Sequence, residues 1–372
     1  MALSLGGRIS ETAKDVNKGA RNAQSVTAAA SMNHPQRGTP PMSAHLDTLR
    51  KRLEGCYITI PTMFADPGLE LDLEATKEVV RSLFDRGMDA EHGTLLIGGA
   101  AGDFSTLTFD ERIRLIQSIA EEVNGKIPVA VGGQSTSTRE SVAIAKAARA
   151  AGADFLQVSC PFYFGHTESD FHDHIKAIAD ATDIGLIIYN TFWATRDLSY
   201  GLIGRLTEIP SVVGLKWATG RTDSMEFEEV IASFCDRFCI IDNQLKFVIS
   251  HMLGARAYEV HTCNYWPEWG VKLVDDLNAG NYETVQTAMI KNVLPFYRLW
   301  RQIESEFTSG DGYLDKLCME LVGLPSSTSR PPTRDIREKY REQARAMLVE
   351  SGVPNVAPGR EQKEIKLASR GG

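Results

Sequence analysis

The sequence predicts an α/β protein, a (β/α)8 TIM barrel followed by a C-terminal helical appendage. From Tyr57 to Gly280, short runs rich in β-branched residues alternate with amphipathic helical stretches. Eight strands in this pattern would be parallel and joined by right-handed crossovers, and their commonest closed arrangement is the barrel. An open doubly wound sheet is the alternative. We favour the barrel because the first strand lacks the G-x-G-x-x-G turn of that sheet and is followed by Thr-Met-Phe-Ala-Asp at residues 62–66.

Local patterns place the individual elements. The predicted strands begin near Tyr57, Thr94, Pro128, Asp154, Gly185, Ser211, Phe238 and Ala255. Helices are predicted between them, including residues 73–86, 110–123, 141–151 and 171–181. Thr108 and Glu111 have the spacing of a capping box, which starts a helix. Gly87, Gly125 and Gly152 stand where helices should end.

Composition divides the chain into four segments. Residues 1–45 are rich in Ala, Ser, Asn, Gly and Pro and are predicted to be a disordered leader. They contain no apolar h-region of a secretory signal, whereas a transit peptide is an open alternative. Residues 46–280 form the predicted barrel, residues 281–352 the C-terminal helices, and residues 353–372 a disordered tail.

Charge and cysteine content narrow the classes of function. The 372 residues are 43% hydrophobic with a formal net charge of −8, and no basic stripe favours nucleic acid as a partner. No apolar run reaches the roughly 18 residues of a membrane span. The six cysteines form no C-x-x-C pair and show no metal-ligand spacing with the histidines, so we predict reduced thiols, no metal site and a cytoplasmic location.

One lysine stands out in the barrel region. The apolar, β-branched run at residues 212–218 carries Lys216 near its end. Buried lysines are rare unless they are paired or used in chemistry. Desolvation would favour the neutral amine, which can attack a carbonyl carbon and form a Schiff base. The alternative is a structural lysine whose side chain extends from the strand end into solvent.

The barrel fold decides which residues can meet Lys216, because barrel active sites lie at the C-terminal ends of the strands. Strand five ends at Tyr189, strand four at Tyr163, and strand two runs into a glycine-containing loop at residues 98–103. Each tyrosine by itself would be explained as an amphipathic residue at the barrel end. A lysine, a phenol and a glycine loop on neighbouring strand ends favour imine chemistry, in which the phenol moves protons.

Four motifs in order resemble those of the dihydrodipicolinate synthase / N-acetylneuraminate lyase family. The loop at residues 99–103, Gly-Ala-Ala-Gly-Asp, looks like the GxTGE loop of that family. Tyr189 and Asn190 look like its YN dipeptide on strand five, and residues 214–220 look like its G-[IVL]-K-x-[AS]-x-G lysine motif. Residues 161–163 look like its P-[PY]-[YF]-Y element.

The resemblance covers residues 57–323 and implies a class I lyase or aldolase that forms a Schiff base with a 2-oxo acid and needs no metal or organic cofactor. It implies that Lys216 forms the imine, that Tyr189 shuttles protons, and that the loop at residues 99–103 holds the substrate carboxylate. Tyr163 would match the tyrosine that crosses a dimer interface in synthase members. The implied assembly is a homodimer or homotetramer.

The sequence also departs from the family pattern. Ala100 and Ala101 stand where the family loop carries hydroxyl groups, and Asp103 replaces its glutamate. The arginine that synthases place shortly after the YN dipeptide is missing. Glu259 and His261 stand on strand eight, where small or apolar residues are usual. We hypothesise that these two side chains supply the proton-transfer groups that the loop lacks.

Two larger sets complete the predicted site. The residues predicted to contact the substrate are Thr62, Gly99, Ala100, Ala101, Gly102, Asp103, Trp217, Glu259 and His261. Aromatic residues at the predicted barrel mouth would form either ordinary core packing or a roomy, apolar acceptor pocket. They are Phe104, Phe192, Trp193, Trp217, Tyr265 and Trp266.

The leading hypothesis is therefore a Schiff-base-forming lyase, of the aldolase or hydratase-aldolase type, that makes or cleaves a C–C bond next to a 2-oxo acid such as pyruvate. The closest enzymatic alternative is a 4-hydroxy-tetrahydrodipicolinate synthase, against which the missing hydroxyl groups and arginine argue. An alternative of another class is a non-catalytic barrel that serves as a binding protein. Retention of both Lys216 and Tyr189 favours the enzyme.

Overall fold

A closed parallel barrel forms the centre of the molecule, as the sequence predicts. The structure, a computed structural model, describes residues 44–194, 196–218 and 226–358. The strands in these residues are β1 (Gly55–Ile60), β2 (Phe64–Ala65), β3 (Glu70–Leu71), β4 (Gly93–Ile97), β5 (Val129–Gly132), β6 (Phe155–Val158), β7 (Gly185–Asn190), β8 (Val212–Trp217), β9 (Cys239–Asp242) and β10 (Ala257–Glu259). The closed order is β1-β10-β9-β8-β7-β6-β5-β4, with every neighbouring pair parallel.

Helices separate the barrel strands at nearly the predicted places. The helices of the barrel region are α1 (Ala44–Arg52), α2 (Leu73–Asp85), α3 (Phe109–Val123), α4 (Thr138–Ala150), α5 (Glu168–Ala181), α6 (Tyr200–Leu206), α7 (Glu226–Phe234), α8 (Phe247–Leu253) and α9 (Pro267–Asn278). The capping box at Thr108 and Glu111 is confirmed, with both reciprocal hydrogen bonds present. Strands β2 and β3, a two-residue antiparallel pair, were not predicted because such short pairs leave no periodic pattern.

Two apolar clusters fill the barrel and its surroundings. One cluster lies between the strands and the outer helices. The other fills the barrel itself and includes Tyr57, Phe155 and Ile187, with Leu49 and Leu53 of α1 and its C-terminal flank packed against it. Successive strand residues face opposite sides, so each strand contributes to both clusters. The inner cluster therefore closes the barrel on the side of α1.

Helices continue beyond the barrel, as predicted. They are α10 (Tyr282–Ala288), a π-helical turn (Met289–Val293), α11 (Leu294–Glu306), α12 (Tyr313–Leu321) and α13 (Arg337–Glu350). The amide of Ala357 donates to the carbonyl of Leu321, so the described chain packs on α12 beyond the predicted start of the tail at residue 353. The predicted leader up to residue 43 and the tail from residue 359 lie outside the described residues. None of the described helices is long and apolar enough to cross a membrane.

Candidate active site

Parallel pairing brings Lys216 and Tyr189 side by side at the C-terminal end of the barrel. Their Cα atoms are register partners on β8 and β7. The Lys216 Nζ lies 4.7 Å from the centre of the Tyr189 ring and 4.9 Å from that of Tyr57. Only 3% of Lys216 is exposed. The lysine therefore points into the barrel rather than into bulk solvent.

Glu259 is the charged partner of this lysine. Its Oε2 accepts a hydrogen bond from the Lys216 Nζ in a fully buried ion pair. The Thr59 hydroxyl donates to the other oxygen, Oε1, over 2.8 Å. A carboxylate in contact stabilises the ammonium form of a lysine, whereas burial opposes it. Sequence reasoning placed Glu259 near the site but did not predict this ion pair.

Two tyrosines provide hydroxyl groups next to the pair. Burial raises the pKa of Tyr189 well above its ordinary value, so its hydroxyl is protonated and can donate. Its oxygen accepts a long hydrogen bond of 3.5 Å from the Asn243 side chain. The Tyr57 hydroxyl donates to Gln157 Oε1 over 3.1 Å. The Gln157 Nε2 is buried and has no partner among the described residues, so it is a free donor inside the barrel.

A cavity of about 220 Å³ opens onto these groups. It is lined by Thr59, Ala100, Gln157, Tyr189, Phe192, Trp193, Lys216, Ala218, Asn243, Glu259, His261, Tyr297, Trp300, Arg301, Glu304 and Asp311. A larger groove of about 760 Å³ lies around His45, Lys176 and Pro210, before the N-terminal ends of β7 and β8. Barrel chemistry takes place at the opposite end, so the smaller cavity is the candidate site.

The loop at residues 99–103 reaches this cavity through Ala100. The amides of Ala100 and Ala101 donate to no other residue of the described chain, and Ala100 lines the cavity. The Thr62 hydroxyl donates to the Gly102 carbonyl over 2.7 Å and so fixes the loop from outside. Asp103 turns away, because its carboxylate pairs with Lys316 of α12 at 2.8 Å. Asp103 does not line the cavity, so its predicted contact with substrate has no support from its position.

Close packing of the appendage shapes the same loop. Gly312 has φ 76°, and a Cβ at that position would lie 2.3 Å from the carbonyl oxygen of Ala101. Only glycine fits such an approach. The approach brings Asp311, which precedes it, to the cavity wall. Burial raises the pKa of Asp311 to about 7, with His261 as the opposing charge.

His261 forms a second buried charged pair at the cavity. Its Nδ1 lies 3.0 Å and 3.1 Å from the two carboxylate oxygens of Asp315. Asn264 donates to the same carboxylate over 2.9 Å. Burial lowers the pKa of His261, but the Asp315 carboxylate outweighs this effect and the result is a pKa of about 10. The imidazole is therefore a cation at neutral pH, and its ring stacks on Phe296 at 5.6 Å.

Several predicted residues lie elsewhere. Tyr163, with φ 91°, is 82% exposed and does not line the cavity. Trp217 faces outward and stacks on Phe227 at 6.0 Å, so the prediction that it contacts substrate is not supported by its position. Arg196 donates to the carbonyl of His166. Residues 219–220 of the lysine motif lie outside the described residues.

Other cavity residues escaped sequence reasoning. The one sequence signal that could have identified Gln157 as a site residue is that it is polar and lies in an otherwise apolar, buried strand. Tyr297, Trp300 and Asp311 come from the appendage, whose docking over the barrel has no local sequence signal. Of the predicted aromatic residues, Phe192 and Trp193 line the cavity, whereas Tyr265 is buried in the outer core. Among the described residues, no group of three His, Cys, Asp or Glu side chains is arranged to hold a metal ion.

Comparison with known proteins gives a consistent result. The family model described as the dihydrodipicolinate synthetase family matches residues 53–351. The 4-hydroxy-tetrahydrodipicolinate synthase of Methanopyrus kandleri is 30% identical over 306 residues, which is 81% of this chain and 97% of that protein. A probable 5-dehydro-4-deoxyglucarate dehydratase of Methylobacterium radiotolerans is 28% identical over 282 residues, 74% of this chain and 90% of that protein.

A solved structure has the same fold. The dihydrodipicolinate synthase from Acinetobacter baumannii, complexed with pyruvate, superimposes with a TM-score of 0.71 at 26% sequence identity. The match covers 81% of this chain and 99% of that one. The likeness therefore includes the barrel and the helices that follow it.

Proposed function

The chain belongs to the dihydrodipicolinate synthetase family and is a lyase, and from that premise we propose that it forms a Schiff base with a 2-oxo acid such as pyruvate and makes or cleaves an adjacent C–C bond. The observation that carries the proposal is the buried Lys216 amine at the wall of a cavity, next to Tyr189. A primary amine in such a place can attack the C2 carbonyl of a 2-oxo acid. The resulting imine accepts the electron pair that a broken C–C bond leaves.

The proposed roles follow from the positions of the groups. The free N–H groups of Ala100 and Ala101 would hold the substrate carboxylate, since anions bind well to convergent backbone amides. The protonated Tyr189 hydroxyl would hydrogen-bond the substrate oxygen and act as the acid/base there. Gln157 Nε2 offers a further donor to a polar group of the ligand.

The cavity favours an acceptor with an apolar part. Phe192, Trp193, Tyr297 and Trp300 line it together with the charged groups. Aromatic walls with a few placed polar groups are typical of sites for small molecules. His261, as a cation with a fixed orientation, would hydrogen-bond an oxygen of the acceptor or protonate a leaving hydroxyl. The dehydratase among the relatives makes a C–O lyase a second candidate.

A 4-hydroxy-tetrahydrodipicolinate synthase is the other candidate, supported by the relatives that carry this name. Two observations argue against a synthase. Ala194 stands near the point where synthases place an arginine for the second substrate. The nearby Arg196 donates a hydrogen bond to the carbonyl of His166. Turnover of pyruvate with aspartate semialdehyde distinguishes the two functions. Efficient condensation would establish the synthase. If no condensation occurs, the other lyase functions remain.

The decisive experiment for the proposal is borohydride trapping with a panel of 2-oxo acids, followed by mass mapping of the modified lysine. We expect a reduced adduct on Lys216 and no adduct in Lys216→Ala. Lys176, an exposed lysine paired with Asp180, serves as the internal control for non-specific modification. A wild-type protein in which no 2-oxo acid labels Lys216 would contradict the lyase proposal and favour a binding protein.

Assembly and location are also proposals. Phe162, Tyr163 and Phe164 form an exposed aromatic group on the loop after β6, and burial of such a patch favours association. We propose a homodimer or homotetramer that covers this loop, and a cytoplasmic location. Sedimentation of the purified protein tests the assembly, and Phe164→Asp should shift it toward the monomer. A monomeric wild type would contradict it.

A further inference from the structure

Glu259 lies at the reacting nitrogen, although imine formation as described above assigns it no step. The Lys216 Nζ is surrounded by the ring faces of Tyr57 and Tyr189 and by the Glu259 carboxylate. Aromatic ring faces attract a cation but cannot accept its proton. The carboxylate can. Among the groups described around Nζ, Glu259 is thus the one that can take up a proton directly.

The carboxylate is also held in a fixed orientation. Glu259 is the register partner of Tyr57 across β10 and β1, and Thr59 follows on the same inward face of β1. The Thr59 hydroxyl binds Oε1, which leaves Oε2 directed at Nζ. Tyr57, Thr59, Lys216 and Glu259 are all buried. All of them except Tyr57 line the cavity. This arrangement keeps one carboxylate oxygen in contact with the amine at the wall of the cavity.

The neighbouring loop offers no competing side chain. Gly99, Ala100, Ala101 and Gly102 carry no hydroxyl, carboxyl or amine. Asp103 is committed to Lys316, and Asp311 has its own backbone contact with Gly312. Of the carboxylates at or near the cavity, Glu259 is the one that the structure shows in contact with Nζ.

We propose that Glu259 is a further catalytic residue, which carries protons from the Lys216 Nζ to the substrate oxygen during imine formation. This inference rests on the proposed function, since it requires a 2-oxo acid to react with Lys216. For imine formation, the inference moves the acid/base role from Tyr189 to Glu259. Tyr189 then hydrogen-bonds the substrate oxygen, and Glu259 carries the protons between the nitrogen and that oxygen.

The proton balance of the reaction fits one carboxylate. As an ammonium, Nζ carries three protons, and as an iminium it carries one. Glu259 takes the first proton, and the free amine attacks the C2 carbonyl. Glu259 gives that proton to the alkoxide, takes the second from the carbinolamine nitrogen, and gives it to the hydroxyl group. The C–O bond breaks, water leaves with both protons, and the nitrogen lone pair forms the C=N bond.

A purely electrostatic role makes the opposite prediction. If Glu259 only holds the ammonium, its removal should release the neutral amine and accelerate attack on the carbonyl. If it carries protons, its removal should slow imine formation although more free amine is present. The sign of the effect therefore separates the two roles.

The test is the rate at which Lys216 forms a reducible adduct with pyruvate, followed by quenched borohydride trapping and mass mapping. In Glu259→Gln we expect the rate near neutral pH to fall by about 100-fold, the usual contribution of a general acid/base. The endpoint of labelling on Lys216 should be preserved. The Glu259→Gln rate should rise with pH, because the amine then loses its proton to solvent. Formate should restore part of the rate in Glu259→Ala, since it supplies an external carboxylate.

A matched control is available in the same chain. Glu228 is a buried glutamate that pairs with a half-buried lysine, Lys246, at 2.7 Å and does not line the cavity. Glu228→Gln should leave the trapping rate within about threefold of the wild type. Should Glu259→Gln not fold, Glu259→Asp decides the matter: slowing by about tenfold or more supports the proposal, and an unchanged rate overturns it.

The remaining outcomes are also decisive. A Glu259→Gln rate equal to or above that of the wild type overturns the proposal and leaves Glu259 as a counter-ion. A lack of formate rescue together with loss of the labelling endpoint also overturns it, because Glu259 then only positions the lysine. A wild type that traps no 2-oxo acid contradicts the proposed function itself, and this result is visible before any variant is made.

Discussion

Two buried lysine–carboxylate pairs in this molecule have the same chemistry and different surroundings. Lys216 pairs with Glu259 inside the barrel, and Lys316 pairs with Asp103 where α12 meets the loop at residues 99–103. Lys216 is 3% exposed and Lys316 is 1% exposed. Only the first pair lines the cavity of the candidate site. The second lies against the ring of Phe64, 4.7 Å from the Lys316 Nζ.

Burial shifts the pKa values of Lys316 and Asp103, the second pair, in opposite directions. It raises the pKa of Asp103 and lowers the pKa of Lys316, while their mutual attraction opposes both shifts. Such a pair gains little net stability, but the loss of one partner leaves an uncompensated charge. Its effect is to connect the appendage to the loop that lines the site. Burial of a lysine is therefore a poor indicator of catalysis, and access to a cavity is the better one.

Matched substitutions of the two lysines should have the largest effect. Lys216→Met should abolish adduct formation with a 2-oxo acid, because no other amine is placed at the cavity among the described residues. Lys316→Met should leave the rate of adduct formation per folded molecule unchanged. Borohydride trapping with mass mapping measures both. Loss of trapping in well-folded Lys316→Met would contradict the distinction between the two pairs.

Lys316→Met should have a large effect on stability, although it should leave adduct formation unchanged. Lys316→Met leaves Asp103 buried without the lysine that pairs with it and should lower the free energy of unfolding by about 3–5 kcal/mol. Replacement of both residues, as Asp103→Leu with Lys316→Met, should recover most of that loss, since an apolar pair needs no counter-charge. Urea unfolding of the single and double variants measures both values. A single variant within about 1 kcal/mol of the wild type would show that water reaches Asp103.

The pH dependence of stability should separate two charged groups at the cavity, Asp311 and His261. Burial raises the pKa of Asp311 from 3.8 to about 7, so the folded protein keeps a proton that the unfolded chain loses above pH 3.8. This contribution is complete below pH 3.8 and is lost as the pH rises to about 7. The contribution of His261 is complete below pH 6.5 and is lost as the pH rises through about 10.

In the wild type, stability should fall with pH over a lower limb, from pH 3.8 to about 7, and an upper limb, from pH 6.5 to about 10. Asp311→Asn should therefore flatten the lower limb and keep the upper one. Denaturant unfolding at a series of pH values measures both limbs in the wild type and the variant. His261→Gln should have the complementary effect on the upper limb. Equal slopes for Asp311→Asn and the wild type on the lower limb would show that Asp311 is solvated rather than buried.

The sequence contained enough to predict the barrel and the position of Lys216. The strand pattern is local, and the strand ends of a barrel converge by topology, so the sequence alone places Lys216, Tyr189 and Glu259 at one end. The direction in which each side chain points was harder to predict from the sequence. Trp217 follows Lys216 in the chain and therefore faces the outer helices, as the alternation along a strand requires.

The appendage could not be placed from the sequence. Its helices were predicted, but their docking over the barrel depends on contacts such as Gly312 against Ala101, which have no periodic signature. For the same reason, Asp103 was assigned to the substrate, although its partner Lys316 lies 213 positions further along the chain. No local pattern around Lys316 indicates that it is the more deeply buried of the two lysines.

The smallest effect is expected outside the cavity, at Tyr163. The resemblance to the family implies a catalytic role for its hydroxyl through a second copy of the chain, whereas within one chain the side chain is 82% exposed and apart from Lys216. If Glu259 carries the protons at Nζ, Tyr163→Phe should change the rate of adduct formation by less than about threefold and stability by less than about 0.5 kcal/mol. The same trapping assay measures the rate, with Phe164→Leu on the same loop as the control. A loss comparable to that of Glu259→Gln would instead show that the hydroxyl of a second copy completes the site, and that the charged partner of Lys216 does not act alone.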